Sequence, residues 1–229
     1  MCDTSRTRSV VVLDFDNTCI VNDIGEAVLA YVCRHKFIAR PRRQFLHYYA
    51  LLSRGQHWHA CAHASKILAG FSVRKVRAIT RACIAEEGAT LGKTTLFGKR
   101  ICTGITVRAS IRRLMHKMQK RGVPIWIVSA TAQHIIDVAA KEFFSDVQLH
   151  TIGIRMKEKR GVLTKQLIRP VPIRSGKVTC IKHYIGKEKP LLAIGDSRGD
   201  LAMVSYAKKG MAIRGRSLDK LRIFPTFPA

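Results

Sequence analysis

The fold is decided by residues 9–18, which read Ser9-Val10-Val11-Val12-Leu13-Asp14-Phe15-Asp16-Asn17-Thr18. The first half is a continuous, β-branched apolar run, which is typical of a strand buried on both faces of a parallel sheet. Similar apolar runs at 123–128 and 190–194 also end in polar residues, at Ser129 and at Gly195-Asp196. The sequence therefore predicts three buried strands, each with polar side chains at its carboxyl end.

Helical segments separate these strands along the chain. The helix before the second strand has apolar positions at i, i+3, i+4 and i+7, namely Ile111, Leu114, Met115 and Met118. Further helices are predicted over about 132–144 and 177–185. Because strands that alternate with helices form a parallel sheet covered on both faces, the predicted fold class is α/β with a Rossmann-like core. Ligands bind such sheets at the carboxyl ends of the strands.

A long segment of different character follows the first strand. Residues 24–100 show helical periodicity and no convincing strand, so we expect an inserted, mostly helical cap. The predicted domains are a core of residues 1–22 and 103–229 and a cap of residues 23–102.

A second, smaller insertion is predicted at 147–174. Residues 151–154 and 161–164 are apolar segments on either side of a charged turn. This pattern predicts a β-hairpin.

The composition indicates a globular protein with a large excess of positive charge. The 229 residues include 41 Lys and Arg against 15 Asp and Glu, a formal net charge of +26. Hydrophobic residues make up 47%, which is enough to bury a core and too many for a disordered basic tail. This charge favours acidic partners: phosphorylated ligands, nucleic acid or the anionic surface of a membrane.

The sequence also suggests a cellular compartment. It contains no stretch of about 18 apolar residues, which excludes a transmembrane helix, and residues 1–9 do not resemble a secretory signal. The seven cysteines are scattered without a C-x-x-C pair, which argues against a disulfide framework or a zinc ribbon. We therefore expect a cytoplasmic protein whose cysteines are mostly small buried hydrophobes.

Four of the nine aspartates follow predicted strands. Asp14 and Asp16 follow the first strand, and Asp196 and Asp200 follow the third. In such a pair, one carboxylate can attack as a nucleophile while the other donates and accepts protons. Each pair alone could equally be a polar turn that ends a strand. Four carboxylates at one edge repel one another, however, so we expect a hard cation such as Mg²⁺ to bind there.

A hydroxyl and an ammonium group complete the candidate site. Ser129 ends the second strand with Thr131 nearby, and Lys177 opens a helix. A hydroxyl with neighbouring backbone N–H groups can hold phosphate oxygens, and a lysine can neutralise their charge. Either hydroxyl could instead cap the helix that follows. Position, rather than residue type, makes Lys177 a candidate among 41 basic residues.

These motifs together resemble those of the haloacid dehalogenase superfamily of phosphohydrolases. D-x-D-x-T at 14–18, Ser129, Lys177 and G-D-x-x-x-D at 195–200 have the order and spacing of its four motifs. The helical insertion, the short hairpin before Lys177 and the segment 207–213 are similar to the phosphoserine phosphatase branch.

The resemblance implies a role for each of these residues. Asp14 would be the nucleophile that forms an aspartyl-phosphate, and Asp16 would protonate the leaving group and then activate water. Mg²⁺ would be held by Asp14, the backbone carbonyl of Asp16 and Asp196, with Asp200 supporting the metal site or orienting the lysine. The residues implied to bind the phosphoryl group are Thr18, Ser129 and Lys177. The implied activity is that of a phosphatase acting on phosphoric monoesters.

The chain departs from phosphoserine phosphatases at two positions. Asp23 stands where they carry a glutamate for the substrate amino group, and Gly199, preceded by Arg198, stands where they often carry an asparagine. Asp23 and Arg198 are therefore the candidate specificity residues, and a small or polyanionic phosphate ester is the expected substrate. The alternative is a basic binding or effector protein of this fold, which docks on nucleic acid, anionic lipid or a phosphoprotein.

Two further features have open interpretations. His57, His59 and His63 lie on one predicted helix, and the last two have the i, i+4 spacing of metal ligands. No third ligand is evident, which favours packing within the cap or contact with the substrate. The segment 224–228 could dock on the core or pair with a partner.

Overall fold

The computed structural model describes residues 9–213 and 221–222. The helices of this part are α1 (Ile24–Arg34), α2 (Pro41–Ser53), α3 (His57–Lys66), α4 (Val73–Glu87), α5 (Ala109–Lys120), α6 (Gln133–Phe143), α7 (Gly176–Tyr184) and α8 (Leu201–Tyr206). The strands are β1 (Val11–Leu13), β2 (Ile20–Val21), β3 (Gly92–Leu96), β4 (Lys99–Thr103), β5 (Thr106–Val107), β6 (Ile125–Ala132), β7 (Leu149–Ile154), β8 (Met156–Lys159), β9 (Val162–Leu167), β10 (Leu192–Gly195), β11 (Gly210–Ile213) and β12 (Leu221–Arg222).

Six strands form one sheet in the order β12-β11-β10-β1-β6-β7. β1 pairs in parallel with β10 on one side and with β6 on the other. β7 and β11 continue the parallel arrangement, and β12 pairs antiparallel with β11. The carboxyl ends of β1, β6 and β10 therefore meet at one edge of the sheet.

Both faces of this sheet are covered by helices. Val11 and Leu13 belong to an apolar cluster that includes side chains of α1, α5 and α6. Val12 belongs to a second cluster, with Cys180 of α7 and Met203 of α8. Because successive side chains of a strand point to opposite faces, the two clusters lie on opposite sides of the sheet. The predicted α/β fold class is confirmed.

The segment between β2 and β5 contains α1 to α4 and the hairpin β3–β4. Asp23 caps the start of α1: its carboxylate accepts a hydrogen bond from the N–H of Glu26 at 2.8 Å. Ser72 caps α4 in the same way. β2 and β5 pair antiparallel on either side of this segment. The division into core and cap stays a proposal, and its predicted boundary between residues 102 and 103 falls within β4.

The expectation that residues 24–100 contain no strand is wrong. β3 and β4 form an antiparallel hairpin, and the two residues that connect them, Phe97 and Gly98, have φ of 49° and 80°. A two-residue hairpin turn requires such positive φ values, which Asn-Gly usually signals. Phenylalanine at the first position hides that signal. The strands are also largely exposed, so they lack an alternating apolar pattern.

The expected hairpin within 147–174 is correct for only part of that segment. Residues 151–154 belong to β7, which is the edge strand of the central sheet and pairs with β6. The hairpin itself is formed by β8 and β9. An apolar β-branched segment does not show which strand it pairs with. Here β7 pairs with β6 of the central sheet and not with β9.

Three smaller expectations have different outcomes. Within residues 9–213 and 221–222, no helix is both long and apolar enough to span a bilayer. Several cysteines are buried as expected, namely Cys19, Cys33, Cys83 and Cys180. The segment 224–228, proposed to dock on the core or a partner, lies outside the described residues.

Candidate active site

The sheet edge brings the predicted site residues together. The backbone N–H of Asp14, just after β1, donates to the carbonyl of Ile194 in β10 at 2.8 Å. Asp196 directly follows β10. The prediction that the second strand ends at Ser129 is wrong, because β6 continues to Ala132, but Ser129 lies just beyond Ile127, the last residue of β6 that pairs with β1. Lys177 lies in the first turn of α7. Residues distant in sequence therefore converge because three parallel strands end side by side.

A buried lysine holds two of the aspartates. Lys177 Nζ donates to Asp14 Oδ1 at 2.6 Å and to Asp200 Oδ1 at 2.5 Å. All three residues are buried, so water screens this charge cluster weakly. Burial alone lowers the pKa of a lysine, but the two carboxylates outweigh that effect and raise the pKa of Lys177. Lys177 is therefore charged at all physiological pH values.

Asp200 anchors the turn that follows β10. Its Oδ2 accepts hydrogen bonds from the backbone N–H and the hydroxyl of Ser197, at 3.1 and 2.8 Å. Burial tends to raise the pKa of Asp200, but Lys177 and these hydrogen bonds hold it below its ordinary value. A Cβ on Gly195 would lie 2.3 Å from the Asp200 Cβ, so only glycine allows this close packing.

Three aspartates form a group that could hold a cation. Asp14, Asp196 and Asp200 each offer one carboxylate oxygen, and these oxygens all lie within 4.8 Å of one another. Burial, together with repulsion among these carboxylates, raises the pKa of Asp14 and of Asp196 to about 7. A divalent cation would relieve that repulsion, and oxygen donors suit Mg²⁺. The donor set therefore fits the metal that the sequence resemblance implies.

Asp16 has a different set of partners. Its Oδ2 accepts hydrogen bonds from Ser129 Oγ at 3.1 Å and Thr131 Oγ1 at 2.9 Å, and its Oδ1 accepts from the N–H of Ile24 at 2.8 Å. Burial, followed by the nearby Asp23, raises the pKa of Asp16 to about 8, although the hydrogen bonds oppose the shift. A carboxyl group with this pKa can hold and deliver a proton near neutral pH. The predicted contact of its backbone carbonyl with Mg²⁺ stays a prediction.

The hydroxyl groups predicted to bind phosphate are engaged with carboxylates. Thr18 is fully buried, and its Oγ1 lies 3.2 Å from Asp14 Oδ2 and 3.3 Å from Asp196 Oδ1. Ser129 Oγ accepts the N–H of Thr131 at 3.0 Å, and α6 has no side-chain cap. The alternative that Ser129 or Thr131 caps this helix is therefore wrong. Binding of phosphate by Thr18 and Ser129 stays a prediction.

A cavity of about 610 Å³ adjoins these groups. It is lined by residues of the sheet edge, among them Asp14, Asp16, Lys177, Asp196 and Asp200, and by residues from the insertion, among them Asp23, Glu26, Tyr48 and His57. Both candidate specificity residues, Asp23 and Arg198, contribute to the lining. Burial and the nearby Glu26 raise the pKa of Asp23 to about 7.

The three histidines of α3 do not come together as metal ligands within the part of the chain that the structure describes. His57 lines the cavity, in keeping with a contact to substrate. His63 Nε2 lies 3.0 Å from the carbonyl of Gln44, and its ring packs edge-on against His47. The packing interpretation is thus supported for His63.

Two cavity residues have no assigned site role in the sequence analysis, although Thr131 is noted there beside Ser129. Thr131 holds Asp16, and the S-x-T spacing from Ser129 is a usable signal, because residues i and i+2 of an extended segment point to the same side. Arg174 also lines the cavity. It is one of 41 basic residues, and its sequence position gives no signal.

Comparison with known proteins identifies the family. Residues 11–205 match the family model of haloacid dehalogenase-like hydrolases. The chain belongs to this family. No curated protein matches its sequence. The prediction from the four motifs, that the chain is a member of the haloacid dehalogenase superfamily, is confirmed.

Solved structures with a similar fold include members with and without a stated activity. A protein of unknown function from Bordetella pertussis Tohama I is 18% identical with a TM-score of 0.71, covering 90% of each chain. One from Anaerococcus prevotii DSM 20548 is 17% identical with a TM-score of 0.69, over 92% of this chain and 81% of that chain. A substrate-bound phosphoserine phosphatase is 14% identical with a TM-score of 0.56, over 90% of this chain and 86% of that chain. The hydrolase thus shares its fold with phosphoserine phosphatases.

Proposed function

We propose that the chain is a Mg²⁺-dependent phosphatase that hydrolyses phosphoric monoesters through a phosphoaspartate on Asp14. One observation carries the proposal: two neighbouring carboxylates have different environments. Lys177 holds Asp14, whereas the hydroxyls of Ser129 and Thr131 hold Asp16. Paired carboxyl groups whose surroundings differ are suited to separate roles as nucleophile and proton donor. Family membership and the fold shared with phosphoserine phosphatases support the same activity.

In the first step, a carboxylate oxygen of Asp14 attacks the phosphorus atom, and the bond from phosphorus to the ester oxygen breaks. Asp16 gives its proton to that departing oxygen, which leaves as an alcohol. Lys177 and Thr18 hold the Asp14 carboxylate in place through their hydrogen bonds. Phosphoryl transfer depends mainly on such positioning and on compensation of charge.

In the second step, a water molecule hydrolyses the acyl phosphate. Asp16, now ionised, takes a proton from that water, and inorganic phosphate and the free Asp14 carboxylate result. Asp14, Asp196 and the carbonyl of Asp16 would hold Mg²⁺, with Asp200 in support. When bound, the cation neutralises charge on the phosphoryl oxygens.

The proposed substrate is a small or polyanionic phosphate ester. Asp23 caps α1 through Oδ1, and its side chain is one methylene shorter than the glutamate of phosphoserine phosphatases, so it reaches less far toward a substrate amino group. Arg198 instead adds an exposed positive charge to the cavity lining. These two features favour a substrate whose leaving group is anionic over phosphoserine.

The test is release of inorganic phosphate from a panel of amino-acid, sugar, nucleotide, lipid and protein phosphates, with Mg²⁺ and with a chelator. Asp14→Asn is expected to lower kcat at least about 10⁴-fold on every substrate, because it removes the nucleophile. Asp146→Asn, at an exposed carboxylate, is the matched control and should retain activity. Turnover by a folded Asp14→Asn protein, or full activity in the chelator, would contradict the mechanism.

A second candidate function rests on the surface of the cap. Lys75 Nζ lies 5.8 Å from the centroid of the Phe37 ring, which places the start of α4 beside the loop between α1 and α2. We use the name cap basic face for the exposed arginines near the starts of α2 and α4, namely Arg42, Arg43, Arg74 and Arg77. A protein that docks on nucleic acid or anionic lipid would use such a face. Salt-sensitive binding of Asp14→Asn protein to single-stranded RNA or to phosphatidylserine vesicles would support this candidate, and no binding to either would exclude it.

A further inference from the structure

Two arginines line the cavity without a protein partner. Arg174 and Arg198 are both exposed, and both border the same cavity as Asp14. Within residues 9–213 and 221–222, neither guanidinium forms an ion pair or a hydrogen bond with another residue. A guanidinium in this situation is available to an anionic group of a ligand.

Lys177 connects both arginines to the reaction centre. Its backbone N–H donates to the carbonyl of Arg174 at 3.0 Å, and its Nζ donates to Asp200 at 2.5 Å. Arg198 lies two residues before Asp200, in a turn that Ser197 and Asp200 close with reciprocal hydrogen bonds. The two arginines therefore belong to segments that one buried ion pair, Lys177 with Asp200, holds together.

The backbone at Arg174 has a left-handed conformation within a hydrogen-bonded turn. Its φ of 52° lies in the left-handed region, which is uncommon for a residue with a Cβ. The N–H of Ile173 donates to the carbonyl of Val171 at 2.8 Å, and that of Gly176 donates to the carbonyl of Ile173 at 2.9 Å. A Cβ on Gly176 would lie 2.1 Å from the Val171 carbonyl oxygen. Strained residues kept in place at a cavity point to a functional constraint.

The acidic groups of the cavity do not neutralise these arginines. Asp14 and Asp200 are paired with Lys177, and Asp16 is bound by hydroxyl groups. Asp23 caps α1. Each of these carboxylates thus has its own partner, and the positive charge of the arginines is left for the ligand.

We propose that Arg174 and Arg198 form a second anion site, which binds a phosphate group carried by the leaving group of the substrate. The proposal rests on the phosphatase function proposed for Asp14. The substrate is then a bisphosphate of a small molecule, with one phosphate at Asp14 and the other at the arginines. The planar guanidinium fork matches the geometry of phosphate oxygens. A cavity of about 610 Å³ has room for a ligand of this size.

The test uses four esters that differ only at the far end: propyl phosphate, 3-aminopropyl phosphate, 3-carboxypropyl phosphate and propane-1,3-diyl bisphosphate. The free Mg²⁺ concentration is held constant, because bisphosphates bind the metal. We expect kcat/KM for the bisphosphate to exceed that for propyl phosphate at least about tenfold, from charge-assisted hydrogen bonds to the arginines.

The variants Arg174→Ala and Arg198→Ala assign this preference to the two side chains. Each should reduce kcat/KM for the bisphosphate at least about fivefold, and should change that for propyl phosphate much less. Arg174→Lys and Arg198→Lys should restore only part of the loss, because an ammonium lacks the fork. Arg113→Ala removes an equal charge from an exposed position of α5, outside the cavity, and should alter neither value.

Failure of this site and failure of the phosphatase function are distinguishable. If no ester is hydrolysed, the anion site can still be tested by calorimetry, which measures the affinity of wild type and variants for the bisphosphate and for propyl phosphate. Preference for the bisphosphate that disappears in the double alanine variant supports the proposal. Preference for the amino or carboxyl ester, or a bisphosphate preference that survives in the double variant, would overturn it.

Discussion

The buried charges at the sheet edge and the exposed charges of the cap differ in how tightly each charge is bound to partners. At the sheet edge, five ionisable groups carry the proposed chemistry, and every one has named hydrogen-bond partners. In residues 24–100, fourteen Lys and Arg accompany three Glu, and most of these cations face solvent. The sheet edge thus has a few charges with defined partners, whereas residues 24–100 have many exposed cations.

This difference separates two roles of charge. Buried, partnered groups interact strongly because water does not screen them, and their positions define a reaction. Exposed ion pairs, such as the one between Arg34 and Glu86, contribute little to stability. Exposed cations act collectively instead, by attracting anions over a distance that salt limits. The sheet edge should therefore determine the chemistry. The exposed cations of the cap should determine how fast the enzyme and an anionic substrate meet.

The largest test of this comparison is to remove Lys177, the buried cation that pairs with both Asp14 and Asp200. Lys177→Met leaves Asp14 and Asp200 facing each other without their shared partner. We expect kcat to fall at least about 10³-fold, and the free energy of unfolding to fall by about 3–5 kcal/mol. The destabilisation should be larger at pH 8 than at pH 5, because protonation of the carboxylates relieves their repulsion at low pH. Urea denaturation at both pH values measures it.

Lys182→Met, on the exposed side of the same helix, is the matched control. It should lower the free energy of unfolding by less than about 1 kcal/mol and leave kcat unchanged. Equal destabilisation by the two variants would mean that burial and partners do not distinguish the two lysines, and the comparison would be wrong.

Much of this site can be predicted from sequence, because strand ends are visible there. Apolar runs that stop at Asp14, Ser129 and Asp196 predict the sheet edge, since parallel strands end together, although β6 itself continues past Ser129 to Ala132. The order of motifs then adds Lys177. The family match bears out this reasoning at the level of family and fold. Individual roles depend on contacts between residues far apart in sequence, and these become visible only in the structure.

The parts that escape prediction lack a local signal. β3 and β4 are exposed and joined by Phe97-Gly98, so neither apolar alternation nor a usual turn pair marks them. The segment 151–154 has a strand pattern, but its pairing with β6 is a tertiary choice. Arg174 gains meaning only through its place in the cavity. In each instance the deciding interaction is long-range.

A smaller perturbation of the sheet edge tests the comparison by removing one uncharged hydrogen-bond donor. Thr131→Val keeps the shape of the side chain and deletes the donor to Asp16 Oδ2. This hydrogen bond favours the ionised carboxylate, so its loss should raise the pKa of Asp16 above its present value of about 8. Activity that requires protonated Asp16 is lost as pH rises through that pKa. The alkaline limb of the kcat profile should therefore move to higher pH.

The same variant should lower kcat about tenfold, as expected for one hydrogen bond to a charged group. Thr179→Val, at an exposed position of α7, is the control and should change neither kcat nor the pH profile. A shift of the alkaline limb to lower pH would contradict the role of Asp16 as the proton donor.

The smallest effect is expected from the cap, although the change in charge is the largest. Replacing Arg42, Arg43, Arg74 and Arg77 with glutamine removes four exposed charges of the cap basic face. At low ionic strength, kcat/KM for a bisphosphate should fall about threefold to tenfold, with kcat unchanged, because only the encounter is slowed. At about 0.5 M salt the difference from wild type should vanish, since screening already removes the attraction. Steady-state kinetics over a salt series measures both effects.

The matched control places the same loss of charge elsewhere, by replacing Lys120, Arg121, Lys187 and Lys189 with glutamine. If net charge alone draws the substrate, both quadruple variants will behave alike. If the cap basic face steers the substrate, kcat/KM will fall more in the cap variant than in the control. A fall in kcat in the cap variant would instead show that exposed charges reach into the reaction itself, and the two regions would no longer have separate roles.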